Sequence, residues 1–152
     1  MSQKSNQPIL IVEDSDDDYE ATYRALKKSG NFNNPIVRCE DGEEALDYLT
    51  HQGQYADRQD KPVPALILLD LNLPGRNGKS VLTEIKSHEA FNKVPIIVLT
   101  TSSDNRDVEE CYTLGANTFI VKPVNMDNFT QAISSFKEYW FEVARLPNTE
   151  DI

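Results

Sequence analysis

Carboxylate, hydroxyl and amine side chains directly follow short apolar segments in this sequence. Glu13 and Asp14 follow the first such segment, Asp70 the third, Thr100 the fourth and Lys122 the fifth. Carboxylates held close together raise one another's pKa unless a cation lies among them. Oxygen ligands with no neighbouring His or Cys select a hard cation such as Mg²⁺, and a lysine and a hydroxyl can bind phosphoryl oxygens. Because a carboxylate can attack phosphorus, this set predicts phosphoryl transfer to one of its own carboxylates.

The apolar segments that precede these side chains predict β-strands. Four of them are rich in branched residues without strict alternation, which is typical of parallel strands covered on both faces, and the mixed second one indicates an edge strand. The predicted strands are 9–12, 36–39, 65–69, 95–99 and 118–121. Helical patterns between and after them predict helices at 16–28, 43–49, 79–91, 104–114 and 126–145. This alternation indicates an α/β domain whose parallel strands deliver their polar ends to one ligand-binding edge.

Length and charge limit the functional classes. The 152 residues suit one domain, predicted at 8–146 with tails at 1–7 and 147–152, a polar insertion at 54–64 and no output domain. The formal net charge of −10 argues against binding to nucleic acid or to anionic membranes. Without a secretory signal or a long apolar run, we expect a cytoplasmic protein.

Several polar residues have an ordinary structural interpretation. Cys39 and Cys111 form no metal-binding motif and are predicted to be reduced, packed thiols. The acidic run 16–18 is interpreted as helix-start charge that complements the helix dipole. His51 and His88 have no partner at a useful spacing and are predicted to lie on the surface.

The ordered motifs resemble the receiver domains of two-component response regulators, including the single-domain chemotaxis type. The resemblance covers about residues 8–145, and the matching motifs are Ile11–Asp14, Leu68–Pro74 with Gly78, Val98–Thr101 and Gly115–Pro123. It implies a doubly wound, five-stranded parallel sheet with the flavodoxin-like strand order 2-1-3-4-5 and helices on both faces.

The resemblance also implies a role for the acidic residues. Asp70 corresponds to the family's phosphoacceptor. Glu13 and Asp14 correspond to the acidic pair that binds Mg²⁺ together with the acceptor carboxylate. Asn72 would give the metal its backbone carbonyl.

Three further positions correspond to the family's switch. Thr100 matches its hydroxyl and Lys122 the lysine that pairs with phosphate, while Phe119 occupies the position of its aromatic residue, where many members have Tyr. The Lys122–Pro123 bond is similar to the family's cis peptide.

Two features narrow the resemblance to the small regulators that partner cyanobacterial and other bacterial phytochromes. One is the insertion, which separates Asp14 from Asp70 by 56 positions, and the other is the aromatic ending at 139–141, accompanied by Leu-Thr-Thr-Ser at 99–102. The implied partner is a sensor histidine kinase, here a phytochrome. The protein itself would then be no enzyme beyond its own phosphorylation and dephosphorylation.

Two other functions remain open. Asp70-Leu71-Asn72 partly matches the D-x-D motif of aspartate-nucleophile phosphatases, although Asn72 replaces the acid that such hydrolases need. A degenerate receiver that serves only as a binding scaffold is the second alternative, and the presence of every site residue argues against it.

The fifth helix is predicted to carry a homodimer surface. Its apolar stripe is predicted to pack on the sheet and consists of Met126, Phe129, Ile133, Phe136, Trp140 and Ala144. Tyr139 and Phe141 each lie about 100° away from Trp140 on a regular helix and therefore fall outside this stripe. The predicted helix spans roughly 30 Å and would overhang a strand of roughly 17–20 Å. The resemblance implies pairing through the fourth helix, fifth strand and fifth helix; the alternative is that the helix end folds back over residues 54–64.

Overall fold

One parallel sheet forms the centre of the structure. The computed structural model describes residues 7–28, 33–57, 63–144 and 146–147. The strands are β1 (Ile9–Val12), β2 (Ile36–Cys39), β3 (Leu66–Leu69), β4 (Ile96–Thr100) and β5 (Thr118–Val121). Their order is β2-β1-β3-β4-β5, and every neighbouring pair is parallel. The predicted strand order and the edge position of the second strand are therefore confirmed.

Within the described residues, five α-helices connect or follow the strands. They are α1 (Asp16–Lys27), α2 (Gly42–Thr50), α3 (Gly78–Ser87), α4 (Asn105–Thr113) and α5 (Met126–Glu138). Each begins after a residue whose side chain accepts a hydrogen bond from a first-turn backbone N–H: Ser15, Asp41, Asn77, Asp104 and Asn125. Helix α3 is shorter than predicted because His88 adopts an extended backbone, although Phe91 is still buried beyond it.

The sheet separates two apolar layers. On β1, Leu10 and Val12 face a cluster that includes side chains of α2, α3 and α4, whereas Ile9 and Ile11 face the cluster of α1 and α5. This alternation of neighbouring residues is what a two-sided sheet requires. Cys39 and Cys111 are buried, and neither forms a disulfide within the described residues, which agrees with the prediction of packed thiols.

The end of the fifth helix differs from the prediction. Regular α-helix stops at Glu138, and a π-helical turn follows over Tyr139–Val143, closed by a hydrogen bond from the Ala144 amide to the Tyr139 carbonyl. The wider turn brings both Trp140 and Phe141 against the α1/α5 core cluster, so the prediction that Phe141 lies outside the packed stripe is wrong.

A further expectation for α5, which concerns Met126, is corrected. Met126 is 51% exposed and is not part of the packed stripe, because it lies in the first turn beyond the apolar layer. The 13-residue α-helix spans about 20 Å, whereas the four-residue strand β5 spans about 13 Å, so the length of the helix does not contradict the predicted overhang. Tyr139 is 53% exposed, as a surface residue would be.

The predicted insertion begins with a short 3₁₀-helix at Gly53–Tyr55. The Tyr55 hydroxyl donates to Glu44 on α2 at 2.8 Å, and its ring packs edge-on against Tyr48. Residues 58–62 of the insertion lie outside the described residues. His51 ends α2 in a left-handed conformation and is only half-exposed, whereas His88 is exposed as predicted. None of the helices in the described ranges is long and apolar enough to cross a bilayer.

Candidate functional site

The polar side chains singled out in the sequence meet at the carboxyl edge of the sheet. The Asp70 amide donates to the Val12 carbonyl at 3.1 Å, and the Lys122 amide donates to the Thr100 carbonyl at 2.6 Å. The Glu13 amide bonds in the same way to the last carbonyl of β2 at 3.0 Å. These hydrogen bonds continue the pattern of the sheet by one residue, so each side chain starts from a rigid backbone.

The Lys122 ammonium lies at the centre of the cluster. Its Nζ is 2.7 Å from Glu13 Oε1, 2.8 Å from Asp18 Oδ2 and 3.2 Å from Asp70 Oδ2. A lysine has three N–H donors, so these three carboxylates can use all of them. Only 5% of the Lys122 side chain is exposed, and water therefore competes weakly for these contacts.

Three carboxylates form a potential metal site beside this ammonium. Oxygen atoms of Glu13, Asp14 and Asp70 all lie within 4.8 Å of one another, with Glu13 and Asp70 buried and Asp14 exposed. Together with Asp18, four carboxyl groups lie around one ammonium, so the cluster holds more acidic than basic groups. An all-oxygen set with this excess of acidic groups fits a hard divalent cation and leaves an exposed side from which the ion can enter.

Burial changes the acid–base behaviour of the cluster. Burial is the main reason why the pKa of Glu13 rises from 4.5 to about 7; the hydrogen bond from Lys122 opposes this rise, and the negative charge of Asp70 adds to it. Burial alone would lower the pKa of Lys122, but its hydrogen bonds to Asp18 and Glu13 and the charge of Asp70 raise it above the usual value. Lys122 therefore stays positively charged at neutral pH.

A hydroxyl is held on the other side of Asp70. Thr100 is fully buried at the end of β4, and its Oγ1 accepts a hydrogen bond from Asn72 Nδ2 at 3.2 Å. The Asn72 amide donates to Asp70 Oδ1 at 3.1 Å. Asn72 thus links the Asp70 carboxylate to the Thr100 hydroxyl. The sequence did not predict this link, because the family resemblance implied a role only for the Asn72 backbone carbonyl.

Gly78 allows α3 to approach this loop closely. Its amide donates to the Leu71 carbonyl at 3.0 Å. A Cβ at this position would lie 2.5 Å from the Asp70 carbonyl oxygen and 2.6 Å from Leu71 Cα. The absence of a side chain at Gly78 therefore helps to fix the backbone that carries Asp70.

Phe119 occupies the middle of the site's edge strand. Its ring is half-buried and packs against the cluster formed with α2, α3 and α4, and its amide donates to the Tyr112 hydroxyl at 3.1 Å. No spacing in the sequence pointed to Tyr112, which is 49% exposed on α4. The Lys122–Pro123 bond is trans, in contrast to the expectation from the resemblance, and trans is the intrinsically favoured form of an X–Pro bond.

The acidic run at the start of α1 divides into different environments. Asp16 is exposed and pairs with Arg38 at 2.8 Å, while Asp18 turns its carboxylate to Lys122. The interpretation of Asp18 as a helix-start charge alone is therefore incomplete. The sequence did indicate that Asp18 could lie near the site. The first turn of a helix that follows a strand's carboxyl end lies at the same edge of the sheet, where Glu13 and Lys122 were expected.

Comparisons with known proteins agree with this geometry. The family model for the response regulator receiver domain matches residues 9–134. The chain is 38% identical over 149 residues to the response regulator Rcp1 of Synechocystis, covering 97% of this chain and 99% of Rcp1. A structure of the Mn²⁺-bound form of Rcp1 superposes with a TM-score of 0.87 at 35% identity, over 93% of this chain and 99% of that one.

Two further solved structures are similar over most of their length. The phosphorylated cyanobacterial phytochrome response regulator RcpA gives a TM-score of 0.86 at 37% identity, covering 94% of this chain and 99% of that one. The bacteriophytochrome response regulator AtBRR gives 0.69 at 42% identity, covering 84% and 90%. These proteins are similar to this chain over nearly their whole length, and the chain also has the acidic cluster with its lysine and the five-stranded sheet. The chain belongs to the response regulator receiver domain family of two-component signalling.

Proposed function

We propose that this protein is a single-domain response regulator that accepts a phosphoryl group on Asp70 from a sensor histidine kinase. The observation that carries the proposal is the contact of the buried Asp70 carboxylate with the Lys122 ammonium at 3.2 Å, next to Glu13 and Asp14. This arrangement leaves a nucleophile, a positive charge and a metal site at one point of the sheet edge.

The chemistry is the transfer of one phosphoryl group from a phosphohistidine of the kinase to the Asp70 carboxylate. An oxygen of Asp70 forms a bond to phosphorus while the P–N bond to the kinase's phosphohistidine breaks, and the imidazole leaves with the electrons of that bond and takes up a proton. Asp70 attacks as its carboxylate, whose Oδ2 lies 3.2 Å from Lys122 Nζ. Lys122 and the Thr100 hydroxyl can then bind the phosphoryl oxygens.

The metal expected at this site is Mg²⁺. Glu13, Asp14 and Asp70 would hold it, with the backbone carbonyl of Asn72 as a further ligand, and the remaining positions would be filled by water and phosphoryl oxygen. Bound there, the ion supplies positive charge that offsets the charge on the phosphoryl oxygens. The all-oxygen donor set and its excess of acidic over basic groups support this choice.

The signal is proposed to leave the site through Thr100, Lys122 and Phe119. A phosphoryl group adds roughly −1.5 to −2 charge and new acceptor oxygens, which compete for Lys122 and for the Thr100 hydroxyl. Asn72 donates to Thr100 Oγ1 at 3.2 Å and does not use the O–H donor of that hydroxyl, so a movement of Thr100 that brings this donor to a phosphoryl oxygen would change the contact with Asn72. Phe119 lies on the neighbouring strand β5, beside Tyr112, where a shift of β4 can reach it.

A phytochrome is the proposed kinase partner, and a homodimer through α4, β5 and α5 is the proposed assembly. The similarity to Rcp1, RcpA and AtBRR over nearly their whole length supports the first proposal. Three exposed side chains support the second: Tyr112 on α4, Val121 on β5 and Tyr139 in the π-helical turn that follows α5. Self-phosphorylation and self-dephosphorylation would be its only reactions, in a cytoplasmic protein whose domain spans 8–146.

The two alternative functions are less well supported. An aspartate-nucleophile phosphatase needs an acid two residues after its nucleophile, and Asn72 instead donates its side-chain amide to Thr100. A scaffold without phosphoryl chemistry would have no use for a charged lysine buried among three carboxylates, because burying charges costs folding free energy.

The test is incubation with acetyl phosphate and Mg²⁺, followed by mass spectrometry of the intact protein. We expect one added phosphoryl group in the wild type and in the control Asp127→Asn, whose side chain is exposed on α5. Asp70→Asn should take up none, because its amide is not a nucleophile. Undiminished labelling of Asp70→Asn, or labelling unaffected by EDTA, would refute the acceptor or the metal role, respectively.

A further inference from the structure

Asp18 is a carboxylate in the cluster that belongs neither to the proposed metal ligands nor to the proposed phosphoacceptor. Its Oδ2 is 2.8 Å from Lys122 Nζ, a shorter distance than the 3.2 Å between Lys122 and Asp70. The contact joins α1 to the end of β5 across 104 positions of the chain. The backbone of Asp18 takes part in hydrogen bonds at the start of α1, where its amide donates to the Ser15 hydroxyl and its carbonyl accepts from the Thr22 hydroxyl.

We propose that Asp18 is a positioning residue that competes with Asp70 for the Lys122 ammonium and thereby holds the receiver in its unphosphorylated state. The proposal rests on the proposed function, because it concerns how easily Asp70 takes up a phosphoryl group.

The first argument concerns the hydrogen bonds of Lys122. Glu13, Asp18 and Asp70 use its three N–H donors, and the side chain is buried, so no donor is free for a phosphoryl oxygen. A phosphoryl group must therefore draw a donor away from one of the carboxylates. The hydrogen bond from Lys122 to Asp18 is the one lost at the lowest cost, because 32% of the Asp18 side chain is exposed and water can replace this hydrogen bond.

The second argument concerns charge. The Asp18 and Asp70 oxygens cannot be more than 6.0 Å apart, since 2.8 Å and 3.2 Å separate them from the same nitrogen. A phosphoryl group bonded to an Asp70 oxygen adds negative charge next to this pair, and close charges interact strongly in a partly buried site. Asp18 therefore disfavours the phosphorylated state both by repelling it and by occupying the lysine that would neutralise it.

The acidic run provides a matched control. Asp17 precedes Asp18 in the first turn of α1, carries the same charge and is exposed. Asp17→Asn and Asp18→Asn remove the same charge from the same helix end and weaken the helix dipole interaction equally. A difference between the two variants therefore reports the contact with Lys122. Asp18→Glu restores the charge one methylene further out.

The experiment measures the rate of phosphorylation by acetyl phosphate and the affinity for beryllofluoride with Mg²⁺, a phosphoryl mimic, by fluorine NMR. We expect Asp18→Asn to take up phosphoryl about five- to tenfold faster than Asp17→Asn and to bind beryllofluoride tighter by a similar factor, the range typical of losing one close charge interaction. Asp18→Glu should return toward the wild type.

Two outcomes would overturn this role for Asp18. Equal rates and affinities in Asp17→Asn and Asp18→Asn would show that only general charge matters, and a slower Asp18→Asn would show that Asp18 orients Lys122 for transfer. If the wild-type protein takes up no phosphoryl group at all, the proposed function itself fails, and the beryllofluoride comparison between the two variants still tests the competition for Lys122.

Discussion

Replacing Gly78 with alanine should damage the site without touching any of its polar groups. The added Cβ would lie 2.5 Å from the Asp70 carbonyl oxygen, roughly 0.9 Å short of the 3.4 Å at which ordinary contact begins. The obstructing atoms belong to the backbone of Asp70 and Leu71 and not to the end of a flexible side chain. The loop that carries the phosphoacceptor must therefore move by several tenths of an ångström or more.

Both stability and rate should respond to this shift. Forcing an extra carbon into a packed site costs about 1–3 kcal/mol of unfolding free energy. A displacement near 1 Å at a reacting group can lower a rate by about 10²-fold. We therefore expect Gly78→Ala to lose one to two orders of magnitude in the rate of phosphorylation by acetyl phosphate, because Asp70 leaves its position between Lys122 and the Asn72 amide.

Gly42→Ala is the matched control for this experiment. Gly42 is also the first residue of a helix behind a capped N-terminus, and its Cβ would lie 2.5 Å from Val81 Cγ2, a side-chain atom outside the site. Urea denaturation gives the stability of both variants, and mass spectrometry gives their phosphorylation rates under conditions where both are folded. The reasoning fails if Gly78→Ala is phosphorylated at the rate of Gly42→Ala while both are destabilised to a similar extent.

Two further predictions concern pH and assembly. Glu13 in the folded, metal-free protein releases its proton near pH 7 instead of 4.5, so the unfolding free energy should fall by roughly 3 kcal/mol as the pH rises across this interval. Urea denaturation in EDTA should show this decline in the wild type and not in Glu13→Gln; parallel profiles would contradict it. In light scattering, Tyr139→Ser should weaken the dimer at unchanged stability, whereas Phe141→Ser should mainly lower the melting temperature because its ring packs on the core. A wild type that stays monomeric well above micromolar concentration, with and without phosphodonor, would exclude the dimer.

The strand pattern could be predicted because it depends on local composition. Runs such as Leu66–Leu69 and Ile96–Ile97 are buried on both faces, and burial on both faces leaves no polar position in the strand. The predicted arrangement of Glu13, Asp70 and Lys122 followed from the same pattern, since parallel strands end at one edge. Their order in the sheet came from the family resemblance, because apolar runs do not say which strand lies next to which.

The fifth helix shows where periodicity fails. A regular helix places Tyr139 and Phe141 on opposite sides of Trp140, and the prediction relied on that regularity. The π-helical turn adds a residue to one turn and changes every direction after it, so that Phe141 reaches the core. Apolar spacing did not reveal this turn, because Trp140 and Phe141 fit the core equally well by composition.

Side-chain partners were the least predictable part of the site. A lysine side chain is long enough to reach several carboxylates. Which of them Lys122 contacts depends on the position of the start of α1, a helix that packs against α5. The same acidic run therefore gives one residue paired with Arg38 and another bound to Lys122. In sequence these carboxylates are equivalent, and only the packing of the helix distinguishes them. Asp18, which the sequence could not distinguish from its neighbours, is thus the residue through which α1 contacts Lys122. Any displacement of α1 must therefore either move Lys122 with it or break the 2.8 Å contact between Asp18 and Lys122.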